Sequence, residues 1–347
     1  MKFSKIYLSL LVLLSFACTD HETPPKQEPT IYAVGYESNG KTVIAQYWKN
    51  NVPYNLTDGS KESIAYDIAV SGNNIYAVGL EDQNTSGTVR PSRAMLWKNG
   101  DPIPLTTYSG VSRALSVAVL NEDTHIVGIE YDGNVMIPRY WKNGVSVPLP
   151  TLGAEGSAND IVIVNGDTYI AGELFDLKTF LTKAVYWKNG ELINISGNEI
   201  RSTYGKAIAL INNNVHVVGH GYGNNGIEVA KHWNNGSVTN LSDGSYNAIA
   251  EDITFIGNNI YITGNSSNGV NHAATYWKNG TPVNLSQPGK KGYATSIKAF
   301  EGKIYVGGIE LDNVGESYTS KVWHDGVANI LKQGSNYNRI YSIAVVK

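Results

Sequence analysis

The chain has 347 residues, with 27 Lys and Arg against 30 Asp and Glu and a formal net charge of −3. With no basic excess to neutralise phosphates, nucleic acid is excluded as a partner class. Charged residues are 16%, Gly numbers 36, and Tyr (22) with Trp (7) far outnumber Phe (6). That profile excludes disorder over most of the chain and suits a glycine-punctuated, aromatic-rich β protein.

In chain order, Lys2 and Lys5 precede an 11-residue apolar run at 6–16, IYLSLLVLLSF. A spanning helix needs roughly 20 such residues, so 1–17 reads as an export signal and is left out of the fold. Ala17 is followed by Cys18, the single cysteine, which therefore has no partner for an internal disulfide. This placement resembles the lipobox of bacterial lipoproteins. The resemblance implies that Cys18 is diacylated and becomes the mature N-terminus, and two acyl chains anchor a protein without a transmembrane helix. Residues 18–29 are then the lipidated cysteine and a polar, Pro-rich tether. Asp20 and Glu22 resemble the acidic export signals of surface-displayed lipoproteins, which implies an outer-membrane address, on the periplasmic side or at the cell surface.

All seven tryptophans (Trp48, Trp97, Trp141, Trp187, Trp233, Trp277 and Trp323) share one repeated position, with spacings of 49, 44, 46, 46, 44 and 46 residues. Words such as YWKNG place each Trp on a strand just before an Asn-Gly or Asp-Gly turn, the pair that supplies positive φ in a tight hairpin. Three residues before each Trp stands a compact residue (Ala45 in the first repeat), and eight after it an aliphatic one (Leu56). A short apolar run closed by Gly, as in IYAVG ending at Gly79, reads as a second strand. A third run such as YDIAV from Tyr66 lies upstream of it. Each unit thus holds four strands, a to d, in about 45 residues, the size of a propeller blade.

The region 30–347 begins directly with strand b at Ile31 and ends with strand a at Tyr341 to Val346. Pairing these termini completes a seventh blade and closes the ring. Pro53, Pro102 and Pro282 fall in strand d, which must then be the outer edge, where a missing N–H is tolerated and edge-to-edge association is discouraged. The expected fold is all-β: a monomeric seven-bladed β-propeller of four antiparallel strands per blade. The pattern A-x-x-W-x-N-G with a following aliphatic residue is similar to the HAF-type repeats of bacterial extracellular proteins. That resemblance covers the whole of 30–347 and implies a structural motif, with no catalytic residues to carry over.

The a–b and c–d turns share one face, which carries Lys49, Lys98, Lys142, Lys188 and Lys278. An anion-binding ring is one reading, and solvated turn lysines, the preferred one, is the other. The b–c and d–a loops vary, and function on a repeated scaffold resides in such loops. Just past the strand-b Gly stand Glu37, Glu81, Glu130 and Glu310, on consecutive blades once the ring closes, with Glu173 nearby in sequence position. A carboxylate arc suits Ca²⁺, a cationic or polyhydroxylated ligand, or acid catalysis. The competing reading pairs each Glu with a loop cation such as Arg93, Arg113, Arg139 or Arg339. Loop aromatics (Tyr36, Tyr108, Tyr131, Phe175, Tyr204, Tyr222, Tyr246) suit sugars, a protein interface or interblade packing.

Strand a supplies Asp67, Ser116, Asp160, Ala207, Asp252, Ser296 and Ser342 at one position, as a wet central channel requires. His216 and His220 are spaced i, i+4, which on a strand separates them by about 13 Å. No nucleophile triad, phosphate loop or Cys/His metal motif occurs. The expectation is a noncatalytic, membrane-anchored envelope module that binds a glycan or an envelope protein through the variable-loop face, with Glu37, Glu81, Glu130 and Glu310 as candidate ligand contacts. The alternatives are a carbohydrate hydrolase or lyase using those carboxylates, and a structural envelope component.

Overall fold

A computed structural model describes residues 28–83, 91–107, 110–197, 199–312, 317–325, 327–334 and 337–347. The export signal, Cys18, most of the tether and Tyr108 lie outside the described residues. Among the described residues, 28 strands form seven four-stranded antiparallel sheets, with no helix long and apolar enough to cross a membrane.

Blades are numbered in chain order and strands lettered a to d outward from the axis. Blade 1 is built from both ends of the chain. Its strand b (Thr30–Ser38) pairs antiparallel with the C-terminal strand a (Asn338–Val346), which closes the ring as expected. The other inner strands are Ser63–Ser71, Ser112–Leu120, Glu155–Val164, Thr203–Ile211, Ala248–Ile256 and Lys291–Phe300. Pro53, Pro102 and Pro282 lie opposite their tryptophans on fully exposed strands d, where the missing N–H costs no ladder bond.

The repeated residues bind blade to blade. Every Trp is at most 4% exposed, and each packs into the apolar face of the preceding blade: Trp97 against Val34, Ala45 and Leu56, and Trp141 against Tyr76, Val78 and Ala94. The closure is packed in the same way, with Trp48 of blade 1 against Tyr305 and Val322 of blade 7. Loss of one such ring costs about 3–5 kcal/mol. In blades 1 to 6 the aliphatic residue eight positions after Trp donates its N–H to the carbonyl of the compact one three before it, as Leu56 does to Ala45 at 2.8 Å, fastening the d–a loop onto strand c.

The turn asparagines have two tasks. Asn99 and Gly100 adopt φ of 54° and 92°, the doubly positive turn that matches strand twist. Asn99 Oδ1 also accepts the backbone N–H of Ile75 at 2.8 Å, and the same bond recurs between Asn143 and Thr124 and between Asn279 and Ile260. The c–d turn is thereby fixed to the start of strand b.

One expectation is corrected. The strand-b glycine does not close its strand, since the strand of Gly79 runs on from Asn74 to Asp82. It faces a bulge instead. In every blade the a–b register shifts just before the channel residue, as between Ala65 and Asp67. A Cβ on Gly79 would lie 1.9 Å from Ile64 O, and one on Gly219 1.9 Å from Tyr204 O. Only glycine lets the bulged strand approach so closely.

Candidate binding site in the central channel

The bulge decides what the channel presents. Regular alternation would turn the residue before each channel Asp or Ser away from the axis, but the bulge brings both inward. Together they line a central cavity of about 630 Å³. The layer nearer the variable-loop face consists of Tyr66, Leu115, Asn159, Lys206, Glu251, Thr295 and Tyr341, with Arg339 above it. The next layer is the Asp67–Ser342 set read from the sequence.

That lower layer is a belt joining neighbouring blades. Asp67 Oδ2 accepts the N–H of Val117 at 2.8 Å, Asp160 Oδ2 that of Ile208 at 2.8 Å, and Asp252 Oδ2 that of Ile297 at 2.9 Å. Ser296 Oγ donates to Asp252, and Lys298 Nζ lies 2.9 Å from the same oxygen. Burial acting alone would lower the Lys298 pKa. The carboxylates of Asp252, Asp67 and Asp160 outweigh it and hold the ammonium charged.

Ser116 Oγ stands 2.9 Å from both Asp67 Oδ2 and Asp160 Oδ1. A hydroxyl has one hydrogen, so only one carboxylate can receive it. When Asp160 is protonated, its own O–H supplies the other bond. Burial first, and then repulsion from Asp252, pushes Asp160 up to about 6 despite the N–H of Ile208. Asp67 is also raised, by burial.

The upper layer differs in kind. Lys206, Glu251 and Arg339 are half-buried, and among the described residues none of the three has a side-chain hydrogen bond or an ion pair within 4.0 Å. The Arg339 guanidinium stacks over Tyr341 at 4.8 Å, and Tyr341 meets Tyr66 edge-on at 5.1 Å and Tyr36 at 6.1 Å. Burial pushes Tyr66 up to about 12, so its hydroxyl stays a donor. Burial also raises Glu251, against the pull of Lys206 and Arg339. Asn159 Nδ2 donates to Glu173 Oε2 at 2.5 Å and to Gly205 O at 2.7 Å. The result is a mouth with one aromatic wall and charged groups that make no hydrogen bond or ion pair within 4.0 Å among the described residues.

Glu37, Glu81, Glu130 and Glu310 are each held by a cation, whereas Glu173 is held by the Asn159 amide. Glu81 pairs with Arg93 at 2.8 Å and Lys61 at 3.1 Å, Glu130 with Arg139 at 2.6 Å, and Glu37 with Lys332 of blade 7 at 2.8 Å. Glu310 is 1% exposed, paired with the equally buried Lys321, and accepts the N–H of Gln287. Arg113 and Arg339 pair with none of them. Among the described residues, no three His, Cys, Asp or Glu side chains converge to hold a metal ion.

On the opposite face, Lys49, Lys98, Lys188 and Lys278 each sit 5.3–5.5 Å over a strand-b tyrosine ring, and Lys142 lies 3.5 Å from Asp123. His216 and His220 do not meet. His216 Nδ1 lies 2.9 Å from His232 Nε2, His220 stacks on Tyr204, and burial lowers the pKa of all three histidines.

No protein-family model matches the chain, and no curated protein matches it. Solved structures do. The β-propeller domain of the Trilobed protease from Pyrococcus furiosus aligns with a TM-score of 0.50 at 12% identity, over 88% of this chain and 97% of that one. A putative TolB from Agrobacterium tumefaciens aligns at 0.49 and 9% identity, over 79% and 98%. A puromycin-hydrolysing peptidase from Mycobacterium tuberculosis aligns at 0.47 and 10% identity, over 78% of this chain, which spans about half (53%) of the peptidase. The chain is a seven-bladed β-propeller. At these identities the likeness concerns the fold alone.

Proposed function

We propose that the chain is a binding module of the bacterial cell envelope, anchored through a lipidated Cys18, whose ligand enters the central channel from the variable-loop face. The observation that carries this reading is that half-buried Lys206, Glu251 and Arg339, with no side-chain hydrogen bond or ion pair within 4.0 Å among the described residues, border a cavity of about 630 Å³. A half-buried charge with no close partner costs stability, and a ligand that pairs with it offsets that cost.

The direction of the chain supports the same reading. Strand b of blade 1 starts at Thr30 on the lysine-bearing turn face, so a tether leaving there turns that face to the membrane and the channel mouth away from it. The 12 residues from Cys18 to Pro29 reach at most about 40 Å. The likeness of the repeats to HAF-type extracellular repeats agrees with this address. A protein partner on the same face is the second reading, favoured by Leu152, Phe180, Ile200 and Val270, each at least 73% exposed on loops of blades 4 to 6 and their junctions.

The test is a thermal-shift screen of the full-length chain in mild detergent against Ca²⁺ and bacterial, host and plant polysaccharides. A ligand at 100 times its Kd adds about 2.7 kcal/mol, a shift of several degrees. The shift is expected to vanish in Lys206→Ala/Glu251→Gln. A shift that survives in this variant refutes the channel as the site, and cleavage of the bound glycan replaces the binding reading by a hydrolase or lyase.

A further inference from the structure

The charges along the channel are ordered by depth. At the mouth the cations Lys206 and Arg339 outnumber the one carboxyl of that layer, Glu251. Below them lies the Asp67, Asp160 and Asp252 belt, with Lys298 against Asp252. An anionic group is drawn to the mouth and repelled from the belt, whereas hydroxyl groups, as donors, are accepted by the belt.

The guanidinium of Arg339 is already oriented. The cation–π contact with Tyr341, 4.8 Å from the ring centroid, restricts the guanidinium, so its donors meet a carboxylate at a reduced entropic cost. Tyr341 and Tyr66 offer ring surface of the kind that covers the C–H face of a pyranose.

Taking the binding reading as its basis, we infer that the channel mouth takes the terminal residue of a uronate-bearing glycan, with the sugar carboxylate on Arg339 and Lys206, the ring against Tyr341 and Tyr66, and the hydroxyls directed to the aspartate belt. A cavity of about 630 Å³ is the size of a small-ligand site, which favours a chain end over a threaded polymer.

Calorimetric titration of the full-length chain in mild detergent tests this. The probes are tri-galacturonate, tri-glucuronate, the methyl esters of both, and neutral cellotriose. At least one acid is expected to bind, with its ester about ten- to a hundred-fold weaker, as for loss of a charge-assisted hydrogen bond. Affinity for the acid should fall as salt is raised, and Arg339→Gln should reduce it to that of the ester. Arg339→Lys, which keeps the charge and loses the fork, should fall between. Tyr341→Ala should weaken acid and ester alike. Equal binding of acid and ester, or an Arg339→Gln affinity equal to wild type, overturns the uronate assignment and leaves the channel reading standing. Binding of none of the acids also overturns the assignment. The channel reading fails separately, when the Lys206→Ala/Glu251→Gln variant keeps the thermal response to whatever ligand the wider screen finds.

Discussion

Burial and repulsion from Asp252 make Asp160, which shares the Ser116 hydroxyl with Asp67, a proton-linked element of the ring. Its folded-state pKa of about 6 exceeds the ordinary 3.8, so the folded protein binds this proton more tightly than the unfolded chain does. The resulting stability is fully present below pH 3.8 and is lost as pH rises through about 6. Without screening, the displacement corresponds to about 3 kcal/mol. The channel is open to solvent, so a loss of about 1–2 kcal/mol is expected. Buried His216, His220 and His232, with lowered pKa values, act in the opposite sense: their contribution is present above about 6.5 and lost as pH falls. The comparison must therefore isolate Asp160. Urea unfolding of wild type and Asp160→Asn is to be measured from pH 4 to 8, since the histidines contribute equally to both. The stability difference between the two proteins should move by about 1–2 kcal/mol in favour of the variant as pH rises across that range. A difference that stays constant with pH refutes the shared-proton assignment.

Other outcomes follow from the same geometry. Gly219→Ala should cost about 3 kcal/mol or more in denaturant unfolding, because its Cβ meets Tyr204 O at 1.9 Å. Gly236→Ala, at φ 84° with open space around it, should cost about 1–2 kcal/mol. Glu310→Gln strands the buried Lys321 and should cost about 2–4 kcal/mol, whereas Glu130→Gln at a rim pair should cost about 1 kcal/mol or less in the same assay. Cys18→Ser should move the protein from the membrane to the soluble fraction on cell fractionation, and retention in the membrane would contradict lipidation.

Blade number, strand order and ring closure were legible because they rest on short-range, repeated physics. The Trp-x-Asn-Gly words mark one hairpin per blade, and Pro53, Pro102 and Pro282 can sit only on an outer edge. The Asp67–Ser342 layer was legible as channel lining for the same reason. The layer above it was not. Tyr66, Lys206, Glu251 and Tyr341 face the channel because of a bulge, and a bulge reverses the alternation on which a sequence reading depends. The invariant strand-b glycine was the available signal, since it marks where strand a presses closest. The pairing of Glu37 with Lys332 was hidden for a different reason: the two residues meet only across the junction between blades 7 and 1. Arg339 reads in the sequence as a partner for the glutamates and instead stands at the channel mouth over Tyr341.

The most direct test of the channel as the binding site is a crystal structure of the protein with a ligand from the thermal-shift screen. Ligand density is expected in the mouth, in contact with Lys206, Glu251, Arg339 and the Tyr341 ring. Density confined to the groove between blades 6 and 7, lined by Tyr261, Lys278, Lys303 and His324, or to the turn face, would contradict the account.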